Sequence, residues 1–294
     1  MLYDKQIIAG VDEAGRGPLF GPVVACAVVF NQKINTSEII DSKKISPRKR
    51  EKVYSMLLNS DIDYGIGVVH EDVIDKINIL NATKKAMLLA IKNLKKEPNK
   101  VLIDGNQLLD TKINQEAIIK GDQKIPEISA ASIIAKVTRD RMIDSYSQIY
   151  PMFDLSSHKG YGTKKHIEHI YKYGPSQVHR FTFKPISDIN IKTLVKYESS
   201  ILIKYAIGLI KKGHLISLLE IESKKTVIRY KKENIDVYVI SMKNAQKDNS
   251  FYQVISDIKK KDSVKNGRLD VIYEDESPLY IKPNYSCKID SLDL

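Results

Sequence analysis

The chain has 294 residues, with 47 Lys and Arg against 36 Asp and Glu, for a formal net charge of +11. A hydrophobic fraction of 43% with 28% charged residues excludes a largely disordered chain, and the length calls for one large domain or two unequal ones. Two cysteines, Cys26 and Cys287, exclude a disulfide framework and a cysteine-rich zinc site. No apolar run approaches the roughly 18 residues of a membrane span. Asp12 and Glu13 stand where a signal peptide would need its apolar centre, so the expectation is a cytoplasmic protein with no membrane partner. The basic balance, with a pI near 9.3, suits a polyanionic partner. Both 1–187 and 188–294 carry a basic excess, however, and charge alone does not separate nucleic-acid binding from a lysine-rich solvated surface.

Ile7 to Val11 reads as a short buried strand and Val23 to Phe30 as a longer one, with a Gly- and Pro-rich turn between them. Ser46-Pro47 is a helix start, with Ser at the cap and Pro at the first helical position; Val53, Met56 and Leu57 then mark its apolar face. Ile66 to Val69 suggests a strand, and Asn81 or Thr83 a cap for a helix carrying Met87, Ala90, Ile91 and Leu94. Val101 to Ile103 and Ala117 to Ile119 are short apolar strands. Ser129 to about Tyr146 and Thr163 to Tyr173 are helical, the second closed by Gly174-Pro175. Beyond residue 187, Leu194 to Lys212 and Phe251 to Lys259 read as helices. Segments at 226–230, 237–242, 269–273 and 279–282 alternate like short strands. The expectation is an α/β layered domain over 1–187 and a small α+β extension over 188–294.

Three strand candidates run into acids: Asp12 and Glu13, Asp104, and Asp122 of Lys120-Gly121-Asp122. If those ends converge, four carboxylates repel one another unless cations neutralise them, and an all-oxygen set suits Mg²⁺ or Mn²⁺. Two such ions about 3.5–4 Å apart clamp the attacking and leaving oxygens of a phosphoryl displacement. Acids at strand ends also begin turns or cap helices, and any one of these four has that plainer reading. Gly15, Arg16 and Gly17 follow the first pair, and backbone amides beside glycines approach a sugar or phosphate closely. A dinucleotide-binding reading fails, because Gly15, Gly17 and Gly21 have the wrong spacing and a strand follows them instead of a helix.

The segments GVDEAGRGPLFGPVV (10–24), DSKKISPRKRE (41–51), VLIDG (101–105), KGD (120–122), ISAASIIAKVTRDR (128–141), HKGYGTKKH (158–166) and YGPSQVHR (173–180) occur in that order. Together they resemble ribonuclease HII across residues 7–187. The resemblance implies a ribonuclease H-like fold, a five-stranded mixed sheet flanked by helices. It implies endonucleolytic cleavage of RNA in RNA–DNA hybrids and at single ribonucleotides in duplex DNA, leaving 5′-phosphate and 3′-hydroxyl ends. Matched residue by residue, Asp12, Glu13, Asp104 and Asp122 would be the catalytic and metal-binding acids of a two-ion Mg²⁺ or Mn²⁺ site. Gly15, Arg16 and Gly17 would read the 2′-hydroxyl, Tyr161 would pack by the next sugar, and Ser42 and Lys43 would contact phosphate. The alternative is a non-catalytic hybrid-binding module, and a monomer is the expected state.

Asp140 competes for the fourth acid, but it sits one turn after Lys136, which favours an ion pair. His166 and His169 lie three apart on a helix with no third ligand nearby, and read as a surface pair. His158 and His179 read as loop supports, and Cys26 as core. Gly267 to Asp270 with 279–282 faintly resembles an endonuclease hairpin, but lacks a second acid and reads as structural.

Overall fold

The computed structural model describes residues 6–32, 39, 46–189, 201–220, 226–233, 235–242, 253–254, 256–259, 267–273 and 285–288. The chain divides into two compact units. One comprises 1–141, 158–167 and 177–190; the other comprises 142–157, 168–176 and 191–294. None of the helices among the described residues is long and apolar enough to cross a membrane.

In chain order the elements to residue 173 are β1 (Ile8–Ala14), β2 (Val23–Phe30), α1 (Pro47–Leu58), β3 (Ile62–Val69), α2 (Glu71–Lys92), β4 (Lys100–Asp104), β5 (Asn114–Ile118), α3 (Pro126–Ile149), α4 (Leu155–His158) and α5 (Lys164–Tyr173). The five strands form one sheet in the order β3-β2-β1-β4-β5. β2 runs antiparallel to both of its neighbours, while β1, β4 and β5 run parallel.

Side-chain alternation sends each strand's apolar residues to two cores. Val11, Ala25, Ala27, Val101 and Ile103 pack with Ala82, Ala86 and Ala90 of α2. Cys26 and Val28 pack with Val53 and Leu57 of α1 and with Ala130, Ile133 and Ile134 of α3. The layers approach closely where side chains are small. A Cβ at Gly10 would fall 2.3 Å from the Glu127 and Ile128 backbone, so only glycine lets α3 start directly over β1.

Ser46 caps α1 as its sequence predicts, its Oγ accepting from Lys49 N at 3.3 Å with Pro47 in the first turn. Two expectations change. β1 extends through Asp12, Glu13 and Ala14, so its acids lie within the strand and not past its end. The helix bearing Met87 starts before Asn81: α2 begins at Glu71 and kinks at Asn78, which has φ 64°. Asn78 Oδ1 accepts from Asn81 N at 3.1 Å, and Asn78 is therefore the cap of the helix's second half. Thr83 is interior to that half and donates to Ile79 O.

The second unit carries α6 (Ile201–Lys211), β6 (Ile216–Glu220), β7 (Thr226–Lys232), β8 (Ile235–Met242), β9 (Gly267–Tyr273) and β10 (Tyr285–Lys288). Its strands form a separate sheet in the order β10-β9-β8-β7-β6, in which only β8 and β9 are parallel. Leu202, Ala206 and Ile210 of α6 are buried, as are Val237, Val239, Leu269 and Val271 of the sheet. Buried Asp270 accepts from Arg268 Nη2 at 2.7 Å, a structural pair within β9. Residues 279–282 lie outside the described residues, and β9 takes β10 and β8 as neighbours.

Candidate active site

Asp12 and Asp104 come together because β1 and β4 are parallel neighbours. Their register pairs Val11 with Ile103, and each acid is the next residue along its strand. Val11 and Ile103 face α2, so both acids face the α3 side. Asp12 is 4% exposed; its Oδ1 accepts from Glu13 N at 2.7 Å, and Ser132 of α3 donates to its carboxylate. Burial holds the Asp12 carboxyl well above its ordinary value, and the charges of Glu13 and Asp104 push it further the same way. Burial also raises Glu13, against the opposing pull of Arg16, whose Nη1 lies 3.3 Å from Glu13 Oε1.

Asp122 follows β5 in a single 3₁₀ turn, Gly121–Gln123, entered through Lys120 in the left-handed region at φ 56°. Its side chain is buried, and its N–H donates to Asp104 Oδ1 at 3.3 Å. Ser129 Oγ donates to the Asp122 carbonyl, tying this turn to α3. The four sequence-predicted acids thus belong to three neighbouring strands, Asp12 and Glu13 to β1, Asp104 to the end of β4 and Asp122 to the turn after β5. Among the described residues, no group of three or more His, Cys, Asp or Glu side chains is arranged to hold a metal ion as it stands. The donor set still fits a hard dication. It is all carboxylate oxygen, and the repulsion among Asp12, Glu13 and Asp104 is what a dication would relieve.

Beside the acids lies a cleft of about 410 Å³ lined by residues that include Glu13, Gly15, Arg16, Gly17, Lys136 and Tyr161. Arg50 and Ser132 also border it; their part could not be read from the sequence. Tyr161 is 44% exposed, and Lys136 Nζ sits 5.9 Å from its ring centroid. Asp140 pairs with Lys136 at 2.8 Å, the structural role its spacing indicated. Ser42 and Lys43 lie outside the described residues. A larger cavity of about 520 Å³ borders Ile8, Phe30 and Asp63 and includes none of the predicted site residues.

His166 corrects the sequence reading, for it is fully buried and not a surface histidine. His158 Nδ1 accepts from Gly160 N at 3.2 Å and its ring stacks on His166, holding the loop that bears Tyr161. Two further residues were missed. Arg139 and Arg180 are buried, and each donates three hydrogen bonds to backbone carbonyls around the glycine loop. For Arg139 a signal existed. It continues the four-residue steps from Ala131 and Ala135, a charge on an apolar stripe. Burial lowers Arg139 to about 10; burial and the neighbouring Arg139 charge lower Arg180 to about 9.

A mixed sheet in this order, with acids on neighbouring parallel strands, defines a ribonuclease H-like nuclease. The family model described as Ribonuclease HII matches residues 9–186, and the chain belongs to that family. It is therefore a metal-dependent endoribonuclease of RNA–DNA hybrids. It is 52% identical over 178 residues to ribonuclease HII of Caldicellulosiruptor bescii, covering 60% of this chain and 86% of that protein. It is 49% identical over 182 residues to the Bacillus subtilis ribonuclease HII, covering 62% and 71%. The solved ribonuclease H2 from Pyrococcus horikoshii OT3 is similar with a TM-score of 0.53 and 31% identity, over 62% of this chain and 96% of that one.

Proposed function

We propose that this protein hydrolyses the phosphodiester 5′ of a ribonucleotide, in long RNA–DNA hybrids and at single ribonucleotides in duplex DNA, leaving 5′-phosphate and 3′-hydroxyl ends. The observation that carries the reading is the adjacency of Asp12 and Asp104 on parallel strands beside a cleft floored by Gly15–Gly17. Asp12, Glu13, Asp104 and Asp122 would hold two Mg²⁺ or Mn²⁺ ions. Such ions, when bound, supply charge neutralisation and an activated water.

The chain's own groups do the rest. Ser132 and the Glu13 amide orient Asp12, and the Asp122 amide orients Asp104. Amides of the glycine loop suit a 2′-hydroxyl, the group that separates RNA from DNA. Tyr161 offers an exposed ring at the cleft for a sugar face, and Arg16, Arg50 and Lys136 supply positive charge to the phosphates. The protein is read as a monomer acting in the cytoplasm. Residues 188–294 are read as a C-terminal extension to which no role is assigned.

The test is cleavage of a duplex with one embedded ribonucleotide, with Mg²⁺, Mn²⁺ or EDTA, by the full chain. A metal-dependent cut on the 5′ side supports the reading. Binding without a cut in any metal would replace it with the hybrid-binding module.

A further inference from the structure

The segment from Gly15 to Pro22 joins β1 to β2, and its first three residues line the cleft. Its carbonyls are gathered by two guanidinium groups that solvent does not reach. Arg180 donates from Nη2 to Gly15 O at 2.6 Å, from Nη1 to Arg16 O at 2.9 Å and from Nε to Gly21 O at 2.9 Å. Arg139 donates from Nη2 to Phe20 O at 2.9 Å and from Nε to Pro22 O at 3.0 Å. Its Nη1 reaches Lys159 O at 3.0 Å, in the loop that carries Tyr161.

Burying two like charges side by side is costly, several kcal/mol per ion by general experience. Glu71 and Asp75 offset part of this cost through their charge on Arg180. Asp75 also fixes the residues after Arg180, accepting from Phe181 N at 2.9 Å and Thr182 N at 3.0 Å.

Peptide stereochemistry supplies the consequence. In a trans peptide the C=O of one residue and the N–H of the next point in opposite directions. With the Gly15 and Arg16 carbonyls drawn onto Arg180, the Arg16 and Gly17 N–H groups are turned the other way. Gly15, at φ 98°, makes the bend that allows this. Neither N–H has an acceptor among the described residues, and both residues line the cleft. Two consecutive outward amides form a fixed concavity of donors for an oxygen.

We propose that Arg180, backed by Arg139, is the positioning residue that aims the Arg16 and Gly17 amides into the cleft as a rigid donor pair for the ribose 2′-oxygen. This rests on the reading under Proposed function, and makes a side chain that never touches substrate the determinant of RNA-over-DNA discrimination. Lysine at position 180 keeps the charge but cannot hold three carbonyls in one plane.

The test measures full-chain affinity for two duplexes of one sequence, one with a single ribonucleotide and one all DNA, in EDTA. Arg180→Lys should lower the ratio of the two affinities about tenfold, the worth of one or two hydrogen bonds. Affinity for the all-DNA duplex should not change. A folded Arg180→Lys protein with the wild-type ratio overturns the proposal. Equal weakening on both duplexes also overturns it, assigning the amide pair to phosphate. If Arg180→Lys does not fold, Arg180→Ala is measured with methylguanidinium added; recovered folding without a recovered ratio again overturns it. Wild-type protein that cuts no ribonucleotide substrate in any metal would instead overturn the functional reading itself.

Discussion

His166 Nε2 and His179 Nε2 lie 3.2 Å apart in the interior, and only one proton can occupy that contact. His166 Nδ1 is 2.9 Å from the Tyr161 carbonyl, which can only accept, so Nδ1 carries hydrogen. In the neutral pair His166 Nε2 is then the acceptor and His179 Nε2 the donor. The chain of contacts ends at the backbone of Tyr161, on the rim of the cleft. His179→Leu leaves His166 Nε2 buried beside an apolar group. The expected loss is about 1–3 kcal/mol, read as a fall of several degrees in thermal midpoint. A midpoint within one degree of wild type would refute this coupling.

Asp12 links stability to pH and to metal. Its folded carboxyl titrates above the unfolded one, so in metal-free protein its contribution is fully present below the unfolded value and is lost as pH rises through the folded value. Asp12→Asn should therefore stabilise metal-free protein at neutral pH. The gain should vanish at acidic pH, where Asp12 is protonated in both states. Mg²⁺ at about a hundred times its dissociation constant should add about 2.7 kcal/mol to wild type, or about 5–10 °C, and much less to Asp12→Asn. Thermal melts from acidic to neutral pH, with EDTA or Mg²⁺, check both expectations. Equal Mg²⁺ shifts in the two proteins would remove Asp12 from the metal site.

Asp104→Asn replaces a carboxylate by a neutral amide of the same shape on the strand next to Asp12. Loss of several kcal/mol of metal-assisted stabilisation corresponds to about a thousandfold or more in cleavage rate. Hybrid binding should hold or strengthen, because one negative charge beside the phosphates is gone. Single-turnover cleavage and a binding titration separate the two effects. Retained cleavage would sink the assignment of Asp104.

How far the molecule was legible depended on where partners lie in the chain. The α1 cap needs only Ser46, Pro47 and Lys49, and local spacing revealed it. The acids were legible because they interrupt apolar strands, which is a local contrast. Asn78 was not, since the apolar pattern runs on through a kink that a left-handed asparagine permits. Of the buried arginines, Arg139 showed only as a charge on an apolar stripe and Arg180 not at all, for a different reason. Their partners are backbone carbonyls 20 to 165 residues away, beyond the reach of any local pattern. His166 failed likewise, with its ring partner 13 residues on across a loop.

The two glycines flanking Arg16 should respond to alanine in opposite ways. At Gly15 a Cβ would sit 2.1 Å from Arg139 Nε and 2.8 Å from the Pro22 carbonyl, at a φ of 98° that alanine adopts only with strain. Gly15→Ala should cost about 1–3 kcal/mol or more in stability, displacing Arg139 from the carbonyls it holds. At Gly17 the nearest atom to a Cβ is Tyr161 Cε1 at 3.6 Å, an ordinary contact, so Gly17→Ala should melt within a degree or two of wild type. Among the described residues nothing accounts for glycine at position 17, whereas a sugar approaching the amide, as proposed above, would. Gly17→Ala should therefore raise KM on a single-ribonucleotide duplex about tenfold or more while leaving stability alone. Wild-type kinetics for folded Gly17→Ala would show that no substrate atom comes close to this amide.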